Sequence, residues 1–265
     1  FVMLDDRDGT LSAYKSYPEL ARILCDRRFG IGADGIILAL NPDDDHDIKY
    51  RIYNCDGSEA EMCGNGMRCF AKMLYEKKMI DKKIMKVDTK AGTVVPEVMV
   101  DDSNTVVSVR VDMGEPVLAS KDIPVISDME QAVEDTLEVE GQVFKMTCVS
   151  MGNPHAVIFV DDAGNIPLAE IGPKIETSDR FPEKTNVEFI QVISDSELRM
   201  RVWERGAGIT LACGTGACAS HVAANLTNRA GEKTVIHLDG GDLELFWDKR
   251  TNHIFKTGPA RKVFE

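Results

Sequence analysis

The sequence lacks the features that would direct it to a membrane or a nucleic acid. No apolar run approaches the roughly 18 consecutive residues of a membrane-spanning helix. Its 31 Lys and Arg residues are outnumbered by 44 Asp and Glu, which gives a formal net charge of −13. Nucleic acids and anionic membranes bind basic surfaces, so we expect neither of them as a partner.

The cysteines and histidines also lack the spacing of a disulfide framework or a zinc site. There are seven cysteines, no Cys-x-x-Cys pair and five scattered histidines. An odd number of cysteines without regular spacing favours free thiols in a reducing compartment. Because no metal-ligand spacing is present, we expect no metal site. Residues 30–35 read G-x-G-x-x-G, but a charged segment precedes them and a strand-like run follows, so we interpret them as a turn.

Two short glycine-rich segments dominate what the sequence does contain. The first elbow is Cys63-Gly64-Asn65-Gly66 and the second elbow is Cys213-Gly214-Thr215-Gly216, with their cysteines 150 residues apart. A glycine-free, helix-compatible run follows each, so each cysteine is predicted to lie just before a helix. There the positive end of the helix dipole and unpaired N–H groups favour a thiolate and can also bind a carboxylate. One elbow could be only a tight turn, whereas two predict two reactive thiols facing one ligand.

Strands and helices are predicted in a similar order around each elbow. The 265 residues can form two domains of about 130, so we predict an α+β fold of two pseudo-equivalent domains. Each would be a curved sheet around the helix that follows its elbow, and both helices are apolar on most sides, which predicts burial on most sides. Besides those two helices, the patterns predict one helix over 18–25 and strands over 1–4, 36–40, 48–53, 84–87, 93–100, 106–113, 143–150, 156–160, 187–193, 198–203, 234–238, 243–247 and 254–256. Pro96 breaks the run over 93–100, which predicts an edge or bulged strand there.

Four motifs resemble those of the diaminopimelate epimerase family, in that family's order and spacing. Two contain the elbows, at residues 54–69 and 203–218. The others are Gly152-Asn153-Pro154-His155 and Thr185-Asn186-Val187-Glu188-Phe189. The resemblance covers essentially the whole chain. It implies two pseudo-symmetric domains with curved, mostly antiparallel, barrel-like sheets, with the active site between them, over residues 1–115 plus about 258–265, and 116–257.

The resemblance implies an isomerase that interconverts LL- and meso-2,6-diaminopimelate in lysine biosynthesis and, in a bacterium, peptidoglycan biosynthesis. It implies no pyridoxal phosphate, no metal and no other cofactor. One cysteine thiolate would remove the α-proton while the other thiol donates a proton from the opposite face, and Cys63 and Cys213 match these positions. An amino-acid α-proton is very weakly acidic, so such a reaction needs preorganised donors in a dry site. A homodimer is left open.

Further site residues are implied by the same motifs. The α-carboxylate would be bound by Gly64, Asn65, Gly214 and Thr215, the reacting amine by Glu204, and the distal end by Asn54, Asn153, Asn186 and Arg205, with His155 orienting or tuning a thiol. The residues alone leave blander roles open. Asn54 and Asn153 could serve only in turns, Glu204 and Arg205 could be a solvated pair, and His155 a core histidine with satisfied hydrogen bonds.

Two departures from the family pattern and three rival interpretations are also open. The family's N-terminal Gly-Asn-Asp motif would lie just before Phe1, and Gly35 stands where many bacterial members carry glutamine. The sequence around Gly35 resembles a plant-like branch of the family, so we expect the protein to lie either in a bacterial cytoplasm or in a plastid stroma. A proline or hydroxyproline racemase-like enzyme would have histidine in place of Asn65. A thiol redox protein would leave the carboxylate-binding elbows unexplained, and so would an acidic interaction domain.

Overall fold

The computed structural model describes residues 1–265, which divide into two compact units. Unit 1 comprises residues 1–112 and 258–265, and unit 2 comprises residues 113–257. Both contain helices and strands, so the predicted α+β fold is confirmed. The limits of the two epimerase domains given by the sequence, 1–115 with about 258–265 and 116–257, remain a prediction. None of the helices combines the length and the apolar content that a membrane crossing requires.

Unit 1 contains a mixed sheet made of its first six strands. Its elements are β1 (Val2–Asp5), α1 (Thr10–Tyr14), α2 (Tyr17–Cys25), β2 (Gly35–Leu40), β3 (Ile48–Asn54), β4 (Glu59–Ala60), α3 (Gly64–Glu76), β5 (Val87–Thr89), β6 (Gly92–Val94), β7 (Glu97–Val100) and β8 (Val106–Asp112). Strand β2 is parallel to β1 and antiparallel to β3. Strand β3 is antiparallel to β4 and parallel to β5, which is antiparallel to β6.

Unit 2 is built on a larger sheet. Its elements are β9 (Asp135–Val139), β10 (Gln142–Ser150), β11 (Pro154–Phe159), α4 (Leu168–Glu176), β12 (Asn186–Val192), β13 (Glu197–Glu204), β14 (Gly208–Ile209), α5 (Gly214–Leu226), β15 (Lys233–Leu238), β16 (Gly241–Asp248) and β17 (His253–Gly258). Strand β12 is parallel to β11 and antiparallel to β13. Strand β13 is antiparallel to β14 and parallel to β15, which is antiparallel to β16.

Strands β1–β6 and β11–β16 therefore repeat one pairing pattern in the same chain order. The registers agree as well. Ile37 on β2 faces Ile52, whereas Glu188 on β12 faces Val202, and residues 52 and 202 are 150 apart, as are the elbow cysteines. Ile37 and Glu188 thus occupy equivalent positions in the two units. The pseudo-symmetry predicted from the elbows is present in the strand pairing.

The two central helices differ in how completely they are buried. Residues 216–224 of α5 are all buried, and this helix packs against β10, β11, β12, β15 and β16. Helix α3 instead buries one face, and its Cys69 and Met73 are only half-buried. On its other side, Lys72 Nζ donates to Glu76 and to the carbonyl of Val106. The predicted burial on most sides holds for α5, whereas α3, which carries charged side chains among its apolar ones, is buried over a smaller part of its surface.

One local prediction is wrong, and the helices α1 and α4 were missed. The strand predicted over 84–87 lies at Val87–Thr89. The run over 93–100 is interrupted at Pro96, as predicted, and forms the two strands β6 and β7. Helix α4 buries Leu168, Ile171 and Ile175 at spacings of three and four, which is a helical signal. Pro173 and the adjacent glycine obscured that signal, although the helix continues through both.

Candidate active site

In unit 1, the first elbow forms the N-terminus of α3. Cys63 is the residue that caps the helix, with an extended backbone at φ −133° and ψ 115°. Its Sγ accepts a hydrogen bond from the Gly66 N–H at 3.4 Å, and its carbonyl accepts the Met67 N–H at 2.7 Å. The N–H groups of Gly64 and Asn65 have no helical acceptor, as in the first turn of any helix. The elbow thus presents a half-buried thiol beside two unpaired donors.

In unit 2, the second elbow has the same geometry at the N-terminus of α5. Cys213 caps the helix at φ −117° and ψ 112°, and its Sγ accepts the Gly216 N–H at 3.4 Å. The hydroxyl of Thr215 lies 3.5 Å from the same sulfur. Cys213 is more buried than Cys63, with 4% of its surface exposed. Both predicted helix-terminal cysteines are therefore present, and all seven cysteines are free thiols.

The last glycine of each elbow is required by the side chains beneath it. A Cβ on Gly66 would lie 2.7 Å from Ile37 Cδ1 and 2.9 Å from the Tyr50 hydroxyl. A Cβ on Gly216 would lie 2.5 Å from Glu188 Oε1. Neither position has room for a side chain. The sequence suggested that these glycines let backbone N–H groups approach a ligand. The structure adds a second reason, because the side chains packed beneath each helix leave room only for glycine.

The environment of Cys213 opposes ionisation. Burial raises the pKa of this thiol well above its ordinary value, and the nearby carboxylates of Glu204 and Glu188 raise it further. Hydrogen bonds from Thr215 and from the Gly216 N–H act in the opposite direction and are weaker. The helix N-terminus was predicted to favour a thiolate, but at Cys213 burial and the two carboxylates outweigh it.

A hydrogen-bonded group of side chains lies at the start of β11 and β12. His155 is fully buried, and its Nδ1 lies 2.7 Å from Glu188 Oε1 while its Nε2 lies 3.1 Å from Asn153 Oδ1. Atoms of His155, Glu188 and Cys213 lie within 4.8 Å of one another. These three offer nitrogen, oxygen and sulfur ligands, although both ring nitrogens of His155 already have partners. The expectation of no metal was based on linear spacing and stays a prediction.

The remaining predicted residues of unit 2 hold the segment that leads to the elbow. Asn186 is buried, donates from Nδ2 to the Pro154 carbonyl at 2.8 Å and accepts the Arg205 N–H at 2.9 Å. The exposed Arg205 guanidinium donates to the Glu183 carbonyl at 3.2 Å. Glu204 accepts a hydrogen bond from the Thr210 hydroxyl. Glu204 and Arg205 thus each have another partner, and their binding roles stay a prediction.

In unit 1, two predicted residues have local partners. The exposed Asn54 side chain donates to the Ser58 hydroxyl at 3.0 Å, the turn role left open from the sequence. Asn65 Oδ1 accepts from Arg68 Nη1 at 2.9 Å. The sequence-based site omitted Tyr50 and Glu188, whose polar groups lie beneath the elbows. A charged residue within the otherwise apolar stretch Val187–Ile190 was the available signal for Glu188.

A family profile described as diaminopimelate epimerase matches residues 1–119 and 147–263. A diaminopimelate epimerase of Desulforapulum autotrophicum is 53% identical over 264 residues, covering 100% of this chain and 93% of the relative. That of Methanococcus maripaludis strain C5 is 49% identical over 93% of this chain and 88% of its own. The chain belongs to the diaminopimelate epimerase family. It is accordingly an isomerase, as the motifs implied, and these relatives lend no support to the plastid alternative.

Solved structures of other epimerases share the fold of this family member. A hydroxyproline epimerase from Agrobacterium vitis has a TM-score of 0.67 and 19% identity, over 91% of this chain and 76% of its own. A probable proline racemase from Agrobacterium radiobacter has a TM-score of 0.64 and 16% identity, over 94% and 81%. At such identities the likeness concerns the fold alone. The rival interpretation as a racemase is therefore consistent with the shared fold, but these structures carry no information about the substrate of this chain.

Proposed function

We propose that this chain interconverts LL- and meso-diaminopimelate through a pair of cysteines, Cys63 and Cys213. The observation that carries the proposal is the duplication of one device. In each unit a free cysteine caps a helix that begins with Gly-x-Gly, and its sulfur accepts the N–H three residues on. Membership of the family supports the choice of substrate. Inversion at a carbon needs a base on one face and an acid on the other, and two thiols meet that need.

The proposed step is a proton exchange at the α-carbon. A thiolate takes the α-proton as the C–H bond breaks, and the electron pair is delocalised toward the α-carboxylate. The second thiol then transfers its proton to the opposite face, which leaves the first sulfur as a thiol and the second as a thiolate. The raised pKa of Cys213 supports its assignment as the thiol of the unliganded protein. The two thiols titrate as a coupled system during turnover.

The residues around the elbows have proposed binding roles. The N–H groups of Gly64, Asn65, Gly214 and Thr215 would stabilise the charge that develops on the α-carboxylate, because donors at a helix N-terminus favour anions. Glu204 would receive the reacting ammonium. The distal ammonium and carboxylate would be bound by Asn54, Asn153, Asn186 and Arg205. Each of these asparagines keeps hydrogen-bonding capacity beyond the contacts described above, since a carboxamide offers two donors and two acceptor sites.

We place the reaction in lysine biosynthesis and, in a bacterium, also in peptidoglycan biosynthesis. We also propose a reducing compartment, since the mechanism needs both thiols free. Reduced protein incubated in D2O with LL-diaminopimelate should lose the α-proton signal in proton NMR while the meso isomer accumulates. Cys55→Ala, at an exposed cysteine outside the elbows, is the matched control and should react normally. Exchange with proline and none with diaminopimelate would transfer the protein to the proline racemase class.

A further inference from the structure

A buried carboxyl group that the proposed mechanism does not use lies beneath the second elbow. Glu188 is fully buried on β12, and its Oε1 lies directly under Gly216 in the first turn of α5. The same oxygen contacts His155 Nδ1 at 2.7 Å. The other oxygen, Oε2, is buried without a hydrogen-bond partner. A carboxyl group placed this way needs an explanation, because buried polar atoms in proteins are almost always hydrogen-bonded.

The contacts of His155 favour one arrangement of protons in the pair. Its Nε2 lies 3.1 Å from the side-chain oxygen of Asn153, which accepts hydrogen bonds, so this contact is satisfied when Nε2 is protonated. The bond between Nδ1 and Glu188 therefore contains a single shared proton. While it is present the pair is neutral overall, and once it is lost the pair carries one negative charge. That charge would lie next to Cys213, since atoms of the three side chains are within 4.8 Å of one another.

We propose that Glu188 is a positioning residue of the second elbow, which orients His155 through a shared proton and keeps Cys213 in the thiol form. Two negative charges this close inside a protein repel each other strongly, so the cluster carries at most one. Once the Glu188–His155 pair has lost its shared proton, its negative charge therefore opposes ionisation of Cys213, which stays a thiol. The inference rests on the proposed function only in taking Cys213 as one of the two exchanging thiols.

The surroundings of the cluster support this assignment. Burial raises the pKa of Glu188, which His155 and its hydrogen bond oppose. Burial also raises the pKa of Cys213, and the carboxylates of Glu204 on β13 and Glu188 on β12 raise it further, in that order of size. The Glu204 carboxylate also raises the pKa of Glu188. The Cys148 thiol on β10 lies near Glu188 as well, and burial raises its pKa to about 12, so it stays neutral. Glu188 thus supplies a charge near Cys213 that the first elbow, with Ile37 at the equivalent position, does not have.

The test measures the alkylation rate of Cys213 as a function of pH by peptide mass spectrometry with iodoacetamide. In Glu188→Gln the midpoint of the rate should move to lower pH, and below both midpoints Cys213 should react at least about threefold faster, because a neighbouring negative charge is gone. Cys63 in the same sample is the internal reference and should keep its midpoint. Glu197→Gln, an exposed carboxylate at the start of β13, is the matched control and should change neither cysteine.

A second variant keeps the test possible if Glu188→Gln does not fold. Glu188→Ile places beneath the second elbow the side chain that this protein already uses beneath the first, and it should shift Cys213 in the same direction. In the wild-type protein, long-range proton–nitrogen spectra should show the proton on His155 Nε2 throughout the pH range in which Cys213 becomes reactive. An unchanged Cys213 midpoint in a folded variant overturns the proposal. So does a wild-type His155 whose Nε2 is unprotonated in that range.

The kinetic measurement separates this inference from the proposed function. If both hold, the alkaline limb of the kcat profile for diaminopimelate moves to lower pH in Glu188→Gln, since Cys213 must be a thiol to donate a proton. If the alkylation midpoint shifts but the wild-type protein does not exchange the α-proton of diaminopimelate, the proposed function fails and the role of Glu188 stands. If the wild-type protein exchanges the α-proton of diaminopimelate and the alkylation midpoint of Cys213 does not move, the proposed function stands and the role of Glu188 fails.

Discussion

The two elbows place different side chains beneath the same backbone. Each has an extended cysteine at the helix N-cap and a sulfur that accepts an N–H at 3.4 Å. Under Gly66 lie Ile37 and the Tyr50 hydroxyl, and under Gly216 lie Glu188 and Met200. The buried polar group is therefore a phenol on β3 in unit 1 and a carboxyl on β12 in unit 2.

The comparison shows that the repeat conserves the position of the thiol and varies its electrostatics. Cys63 is half-buried, whereas Cys213 is buried and its pKa is raised by burial, Glu204 and Glu188. The helices differ in the same sense, since α3 buries one face and α5 is buried along residues 216–224. The proposed inversion by two cysteines needs one thiolate and one thiol. Different side chains beneath two elbows of the same backbone geometry are a way to provide both forms.

The largest effect should come from removing either thiol. Cys63→Ala or Cys213→Ala should each lower net epimerisation by roughly 10³-fold or more, because residues that act as a unit fail together. The measurement is conversion of LL-diaminopimelate to the meso isomer, with Cys55→Ala as the control. Turnover within tenfold of wild type in either variant would contradict the two-base assignment. Loss in only one of them would show that the elbows are not functionally equivalent.

A pH effect should distinguish the two central helices. His221 in α5 is fully buried and stands where α3 has Ala71, 150 residues earlier. Burial lowers the pKa of His221 to about 4, and Lys249 contributes in the same direction. The unfolded chain, with an ordinary pKa near 6.5, then binds the proton more tightly than the folded one. Stability from this group is complete above about pH 6.5 and is lost as pH falls toward 4.

The loss should amount to roughly 3 kcal/mol at most between pH 6.5 and 4. Urea unfolding of wild type and of His221→Gln at several pH values measures it as the difference between the two proteins, so that carboxylates common to both cancel. Glutamine can still bond the Thr234 hydroxyl, which lies 2.8 Å from His221 Nδ1. Parallel pH curves for the two proteins would show that His221 does not carry the dependence.

Adding a methyl group beneath each helix should cost unequal amounts. In Gly66→Ala the new Cβ meets the end of the Ile37 side chain, which can shift, and the Tyr50 hydroxyl at 2.9 Å. In Gly216→Ala it comes closer, to Glu188 Oε1 at 2.5 Å, and that oxygen is fixed by His155. We expect losses of about 1 kcal/mol for Gly66→Ala and about 2–3 kcal/mol for Gly216→Ala in urea unfolding. Gly231→Ala, whose Cβ would approach nothing closer than 3.7 Å, is the control. Equal losses at both elbows would contradict the stated difference in rigidity.

The elbows and the repeat could be predicted from the sequence because both are local. A cysteine before Gly-x-Gly and a helical run needs only neighbouring residues to be recognised. The role of Glu188 depends on the parallel pairing of β11 with β12, which brings it to His155 and is not encoded in either strand. Helix α4 was missed because Pro173 obscured a correct apolar spacing. The pKa of Cys213 depends on carboxylates 9 and 25 residues away in the chain.

The smallest expected effect concerns the phenol beneath the first elbow. Tyr50 is fully buried, and its hydroxyl has no partner with hydrogen-bond geometry although the Cys63 backbone lies near it. Removing a buried, unpaired hydroxyl removes its desolvation cost, so Tyr50→Phe should stabilise unit 1 by about 0.5–1 kcal/mol in urea unfolding. Tyr75→Phe is the matched control, since its hydroxyl bonds Asn104 at 2.8 Å and its loss should cost about 0.5 kcal/mol. If Tyr50→Phe destabilises the protein and also changes the alkylation midpoint of Cys63, the phenol supports the first thiol as Glu188 supports the second. In that case both elbows would contain a buried partner for their sulfur, and the difference between them would be one of chemistry alone.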